Sequence, residues 1–212
     1  MKKVCFLMIA CFFILIIASV PGALCYPPVG SDCMSTTATI EIEIIGMFTE
    51  TIHTTLGPTT VSRSNPYDPG DGRMKIDTEI VSMSLCGASS YIGSLWIVES
   101  PSKASKGAVQ QLSAGVDFPA DSFFDVFVEI QTTLAPPLST LHNDDPVPMS
   151  TTIDSIPPWG STYTPPYPVL IPLKDMNGNI IGFIKHVSHK IQVSGVGCLL
   201  YTSPSPRDRT RS

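Results

Sequence analysis

Apolar and polar side chains alternate with a period of two along much of this chain. Ala38, Ile40, Ile42 and Ile44 interleave with Thr39, Glu41 and Glu43, the pattern of a strand with one buried face. Gly46 interrupts the run and marks a bend, after which Phe48, Glu50 and Ile52 interleave with Thr49, Thr51 and His53. Met74 to Cys86 alternates again, with Val81, Met83 and Leu85 expected on one face. Leu95 to Glu99 is short and apolar on both faces, so Trp96 is expected in the core. The strongest run is Phe123 to Thr132: Phe124, Val126, Val128 and Ile130 point one way, Asp125, Glu129 and Gln131 the other. Asp175-Met176-Asn177-Gly178-Asn179 separates two apolar runs and reads as a type I′ hairpin turn. No twelve-residue window carries a helical period. The pattern predicts an all-β fold, a β-sandwich of roughly 8–10 short strands.

Composition narrows the function classes. The 212 residues carry a net charge of −5, with 15% charged residues, 20 prolines and 15 glycines. Sparse, acidic charge argues against a nucleic-acid partner, which needs a basic face. The two ends stand apart from the alternating region. Lys2 and Lys3 precede an apolar run from Val4 to Ala18, then Pro21 and Gly22, as in a secretory signal over residues 1–25. The run is shorter than the roughly 20 residues a spanning helix needs, so no membrane span is expected in the mature domain. Cleavage is expected after Cys25 or Gly22; a lipoprotein signal and an uncleaved anchor are the alternatives. Residues 198–212 follow the last strand pattern with Arg207, Arg209 and Arg211. The run Cys198 to Asp208, CLLYTSPSPRD, is similar to a translated sequencing-library adapter and is expected to be an artefact. One domain over residues 26–197 remains, more acidic than the whole. Its localisation is expected to be secreted or cell-surface.

Four segments occur in order: TEIVSMSL (Thr78 to Leu85), ADSFFDVFVEIQ (Ala120 to Gln131), LHNDDPVPM (Leu141 to Met149) and PLKDMNGNIIGF (Pro172 to Phe183). Together they resemble an uncharacterised family of exported bacterial and archaeal all-β domains. The resemblance spans about Ile40 to His189. It implies export, a β fold and attachment at a cell surface, and it assigns no activity, substrate or catalytic residue.

Candidate chemistry is thin. Cys33 and Cys86 are the two cysteines left in the mature domain, and an exported pair is expected to form a disulfide. Such a bond would contribute on the order of 4 kcal/mol by closing its loop in the unfolded chain. No organic cofactor is expected; calcium is the candidate ion, with Asp68 and Asp71 in one loop and Asp175, Asn177 and Asn179 in another. His186 and His189 fall on opposite faces of a strand, so they do not share a zinc. Ser100-x-x-Lys103 matches a β-lactamase-type motif without its companions and reads as an exposed loop. Asp121 and Asp125 lie about 13 Å apart along a strand, too far for a glycosidase pair. Trp159, Tyr163 and Tyr167 lie among prolines and form the candidate ligand-binding face, suited to a glycan or an envelope protein. The expected function is thus a secreted or surface β-sandwich with a structural or binding role. A carboxylate-dependent hydrolase assembled from separate loops is the alternative.

Overall fold

The computed structural model describes residues 26–193. The signal-like segment, the adapter-like tail and residues 194–197 lie outside the described residues. Thirteen strands follow one another: β1 (Gly30–Ile44), β2 (Phe48–His53), β3 (Gly57–Arg63), β4 (Lys75–Ser89), β5 (Gly93–Glu99), β6 (Ser105–Ser113) and β7 (Val116–Val126). They continue with β8 (Val128–Thr132), β9 (Thr140–Asn143), β10 (Val147–Ile153), β11 (Thr162–Tyr163), β12 (Ile171–Lys174) and β13 (Ile180–Ile191). They form a single all-β domain in which sheet faces pack across one core, as in a β-sandwich. The two faces belong to one continuous sheet. The antiparallel path β4-β3-β1-β13-β12-β9-β8-β5 returns to β4 through the β5–β4 pairing, so the sheet closes on itself.

The count exceeds the expected 8–10 because long strands are broken into pairs. β2 and β3 both pair with β1, β5 and β6 both pair with β4, and β7 and β8 pair with β6 and β5 in turn. Each pair is one bent strand. The barrel therefore has two tiers: β2, β5, β8, β9 and β12 below, β3, β6, β7, β10 and β11 above, with β1, β4 and β13 running through both.

Breaks in three neighbouring strands line up. The chain leaves the ladder at Pro101–Ala104, at Phe127 and at Asp144–Pro146, and side chains supply the missing hydrogen bonds. Asn143 accepts from Val128 N (2.7 Å) and donates to the carbonyls of Val126 (3.0 Å) and Asp145 (2.8 Å). The Ser105 hydroxyl accepts from Phe127 N at 2.8 Å and donates to Glu99 at 3.0 Å. Lys103 and Lys174 both donate to the Asp144 carboxylate, at 2.6 and 2.8 Å. The two ammonium groups, Lys103 first, hold the Asp144 carboxyl well below the usual carboxylate range. Ser100 and Lys103 thus belong to this seam. Ser100 is buried and caps its own turn, contrary to the exposed loop expected of them.

Three further expectations need correction in detail. Trp96 is 38% exposed, because Leu95 and Ile97 take the inward positions and no further layer covers the outer face. Val81 turns outward at a β-bulge, where β4 slips by one residue against β3 between Thr60 and Val61. Gly178 is the one loop residue at positive φ, with its N–H donated to the Asp175 carbonyl at 3.0 Å. That is a type I turn closed by a left-handed glycine, since type I′ would need Asn177 at positive φ as well.

The Cys33–Cys86 disulfide does not form: Cys86 is a free, exposed thiol. Cys33 on β1 stands level with Thr60 on β3 and Ser82 on β4, two strands away. Two inter-strand steps cover about 10 Å, and Cys86 lies a further four residues along, about 13 Å. A disulfide tolerates Cα atoms at most about 7 Å apart.

Replacing Asn143 by Ala should cost about 2 kcal/mol, because it strands the buried Val128 amide and removes the donor to two less buried carbonyls at the seam. Urea unfolding of the variant checks this; a loss under about 1 kcal/mol would mean that water reaches the break.

Candidate functional site

The inner faces of the two tiers are filled differently. Below, Ile42, Ile44, Ile52, Leu95, Ile130, Leu141 and Leu173 are fully buried and meet across the barrel. Above, shorter side chains stand at several inward positions among larger ones: Thr36 and Ala38 on β1, Thr59 and Val61 on β3, Thr78 on β4, Val109 on β6 and Ser122 on β7. Eight strands enclose an interior that large side chains just fill, or that shorter ones leave open for one small guest. The upper tier takes the second course and holds a partly open cavity of about 100 Å³. Met34, Met149, Ile153, Phe124 and Ile184 complete much of its apolar wall.

Polar groups enter the wall at separate places. The Arg63 guanidinium donates to the Asp32 carboxylate and, at 2.9 Å, to the Pro28 carbonyl. Thr78, opposite Arg63 on the neighbouring strand, has a buried hydroxyl without a hydrogen-bond partner among the described residues. Thr36 and Thr59 share a hydrogen bond of 2.8 Å, and the hydroxyls of Ser122 and Tyr163 share another of 2.8 Å. Burial pushes the Tyr163 phenol up to about 12.

His189 stands directly across from Tyr163 on β11 and from Ala38 on β1, and it lines the cavity. No protein group hydrogen-bonds its ring among the described residues. The side chain keeps some accessible surface, yet desolvation lowers its pKa to about 4. The two facts agree if that surface faces the cavity and not bulk solvent. At neutral pH the ring is uncharged, offering one N–H donor and one acceptor nitrogen.

The segment from Asp154 to Tyr163 lies against the cavity. Ile156 and Pro158 contribute to its wall, Gly160 N donates to the Ile191 carbonyl at 3.1 Å, and β11 adds to β13. The three aromatic candidates consequently separate. Tyr163 is 5% exposed and points inward, packed edge-on to Phe124. Trp159 at 39% and Tyr167 at 61% exposure remain on the surface. Alternation would have placed His189 inward beside Ile191. That its neighbours leave a void shows only once the ring of strands is closed.

The calcium candidates serve their own loops. Asp68 Oδ1 accepts from Gly70 N (2.7 Å) and Gly72 N (3.0 Å). Asp71 accepts from Arg73 at 2.6 Å and from Gln110 at 3.1 Å. Asp175 Oδ1 accepts from the backbone N–H of Asn177 and Asn179, both at 2.9 Å, and its Oδ2 accepts from the Asn179 side chain at 3.1 Å. These hydrogen bonds, the Asn179 side chain first, lower the Asp175 pKa. No group of three or more His, Cys, Asp or Glu among the described residues is arranged to hold a metal ion. Asp121 and Asp125 face outward, and Asp32, held by Arg63, is the one carboxylate lining the cavity. A glycosidase pair is therefore not assembled there. No helix among the described residues is long and apolar enough to cross a membrane.

No family model and no curated protein matches the chain. Among solved structures it is similar to DynF from the Dynemicin biosynthesis pathway of Micromonospora chersina, with a TM-score of 0.68 and 19% identity. The match covers 79% of this chain and 82% of that one. At that identity the likeness concerns the fold.

His189 is harder to protonate folded than unfolded, so its contribution to stability is intact above pH 6.5 and is lost as pH falls toward 4. The His189→Leu variant should lose on the order of 3 kcal/mol less than wild type between those limits. Paired urea titrations check this, because the carboxylates titrating in the same window are common to both proteins. Parallel losses would place the ring in contact with bulk water.

Proposed function

We propose that this chain is an exported domain that binds a small apolar molecule in the upper tier of its barrel. The observation that carries the reading is the apolar cavity itself, which persists in the upper tier where Thr36, Ala38, Thr59, Thr78 and Ser122 stand among larger residues such as Met34, Phe124 and Met149. An unfilled apolar cavity forfeits packing, at about 24 cal/mol per Å³, which is about 2 kcal/mol for this volume. A guest that restores those contacts returns that energy. An engineered apolar cavity of about 150 Å³ holds benzene, so the guest here is on the order of six heavy atoms, or one end of something longer. DynF, a protein of a biosynthesis pathway, has the same fold, which is in keeping with a role beside small-molecule chemistry. The surface-aromatic reading is less well supported, because Tyr163, its middle member, is turned into the cavity. Export rests on the signal-like first 25 residues.

Saturating benzene should raise the melting temperature of the wild-type domain, and Ala38→Phe, which places a ring in the cavity, should abolish the shift while folding normally. Absence of a shift in wild type would remove the binding reading. Expression of the full chain in a bacterial host with a secretion pathway should yield protein outside the cytoplasm that begins after Gly22 or Cys25. Retention of an intact leader in the cytoplasm would remove the export reading.

A further inference from the structure

The polar end of the cavity says what kind of apolar molecule fits, an inference that rests on the binding reading above. His189 and Tyr163 face each other across β13 and β11, and Tyr163 shares a hydrogen bond with Ser122. Two hydroxyls joined by one hydrogen bond use one of their two hydrogens, leaving the other free to donate. The His189 ring, without a protein partner, adds one donor and one acceptor. A buried polar group left unsatisfied is unfavourable, and here the His189 ring and the Tyr163–Ser122 pair, on neighbouring strands, bring unused valences to one part of the wall.

The charge balance of the wall restricts the guest further. The titratable side chains lining the cavity are Asp32, Arg63, Tyr163 and His189. The one fixed cation, Arg63, is already neutralised by Asp32 and also bonded to Pro28. A carboxylate entering the cavity would meet no free positive charge, and an ammonium would meet no free negative one. Burying an unpaired ion is far more costly than burying a carbonyl or hydroxyl that finds a partner.

We propose that the cavity selects a small apolar molecule carrying one uncharged oxygen, a ketone, aldehyde or alcohol, which hydrogen-bonds to His189 beside the Tyr163–Ser122 pair. A carbonyl oxygen takes the imidazole N–H; a hydroxyl gives its hydrogen to the bare ring nitrogen. The apolar remainder lies against Met34, Phe124 and Met149.

The test compares hexane, 2-hexanone and hexanoate on the 26–193 region within the full mature domain, following methyl NMR shifts of the cavity isoleucines and methionines at pH 8. His189→Leu should weaken 2-hexanone about tenfold, the loss of one hydrogen bond in a buried site, and leave hexane unchanged or tighter. His189→Gln, which keeps a donor and an acceptor, should recover most of the ketone affinity. Hexanoate should bind wild type at least tenfold more weakly than 2-hexanone. Hexane binding by each variant doubles as the check that the cavity is intact. If His189→Leu weakens hexane and ketone equally, or if hexanoate matches the ketone, the selectivity inference is overturned while the binding reading stands. If none of the three binds wild type, the binding reading itself has failed.

Discussion

The closed ring of strands is the constraint from which the rest of this structure follows. Once β5 pairs back onto β4, no sheet edge remains along that ring to adjust the interior, and its cross-section is set by strand number and tilt. The inward side chains then either fill the enclosed space or do not. In the lower tier, residues of Ile and Leu size fill it, and nearly all are completely buried. In the upper tier, where β10 meets the end of β11 through the single Ser150–Thr164 bridge, short residues such as Thr36, Ala38 and Ser122 stand among the large ones, and a void remains. The filled interior and the void are thereby separated along one set of long strands.

Closing strands of this length requires bends, and the seam of side chains shows how the bends are tolerated. Ladder hydrogen bonds lost at Phe127 and at Asp144–Pro146 would leave buried amides unmet. Ser105 meets the Phe127 amide and Asn143 the Val128 amide from neighbouring strands, while Lys103 donates to the Asp144 carbonyl. The breaks lie side by side, so each repair group reaches two of them. A residue such as Asn143, with donors and an acceptor on one short planar group, suits this position better than any apolar residue.

This division explains what could be read from the chain without coordinates. Alternation in Ala38 to Ile44 and in Phe124 to Ile130 gave strands, inward faces and the all-β class, because period two depends only on local geometry. Val81 was misplaced because a bulge changes the count without changing residue type. Trp96 was misplaced because an apolar run of four does not say whether a second layer covers the outer face. The Cys33–Cys86 pairing failed because compartment and parity say nothing about how many strands lie between two cysteines. Tyr163 resembled its neighbours Trp159 and Tyr167 until β11 was seen to pair with β13. The cavity was the least legible feature, since a void is a property of residues from many strands taken together.

The same reasoning bears on why the polar groups of the upper tier are retained. Filling the space with Leu would stabilise the domain, by the same packing argument that accounts for the lower tier. Replacing His189 by an apolar residue would also remove an uncharged ring held neutral against its ordinary tendency to protonate in mild acid. The His189 side chain takes no part in the ladder or in the seam hydrogen bonds. Features that lower stability without serving the architecture are best accounted for by what they admit. Asp32 and Arg63 fit the same logic from the other side. Their mutual pairing satisfies both charges within the wall and leaves no unpaired charge facing the interior.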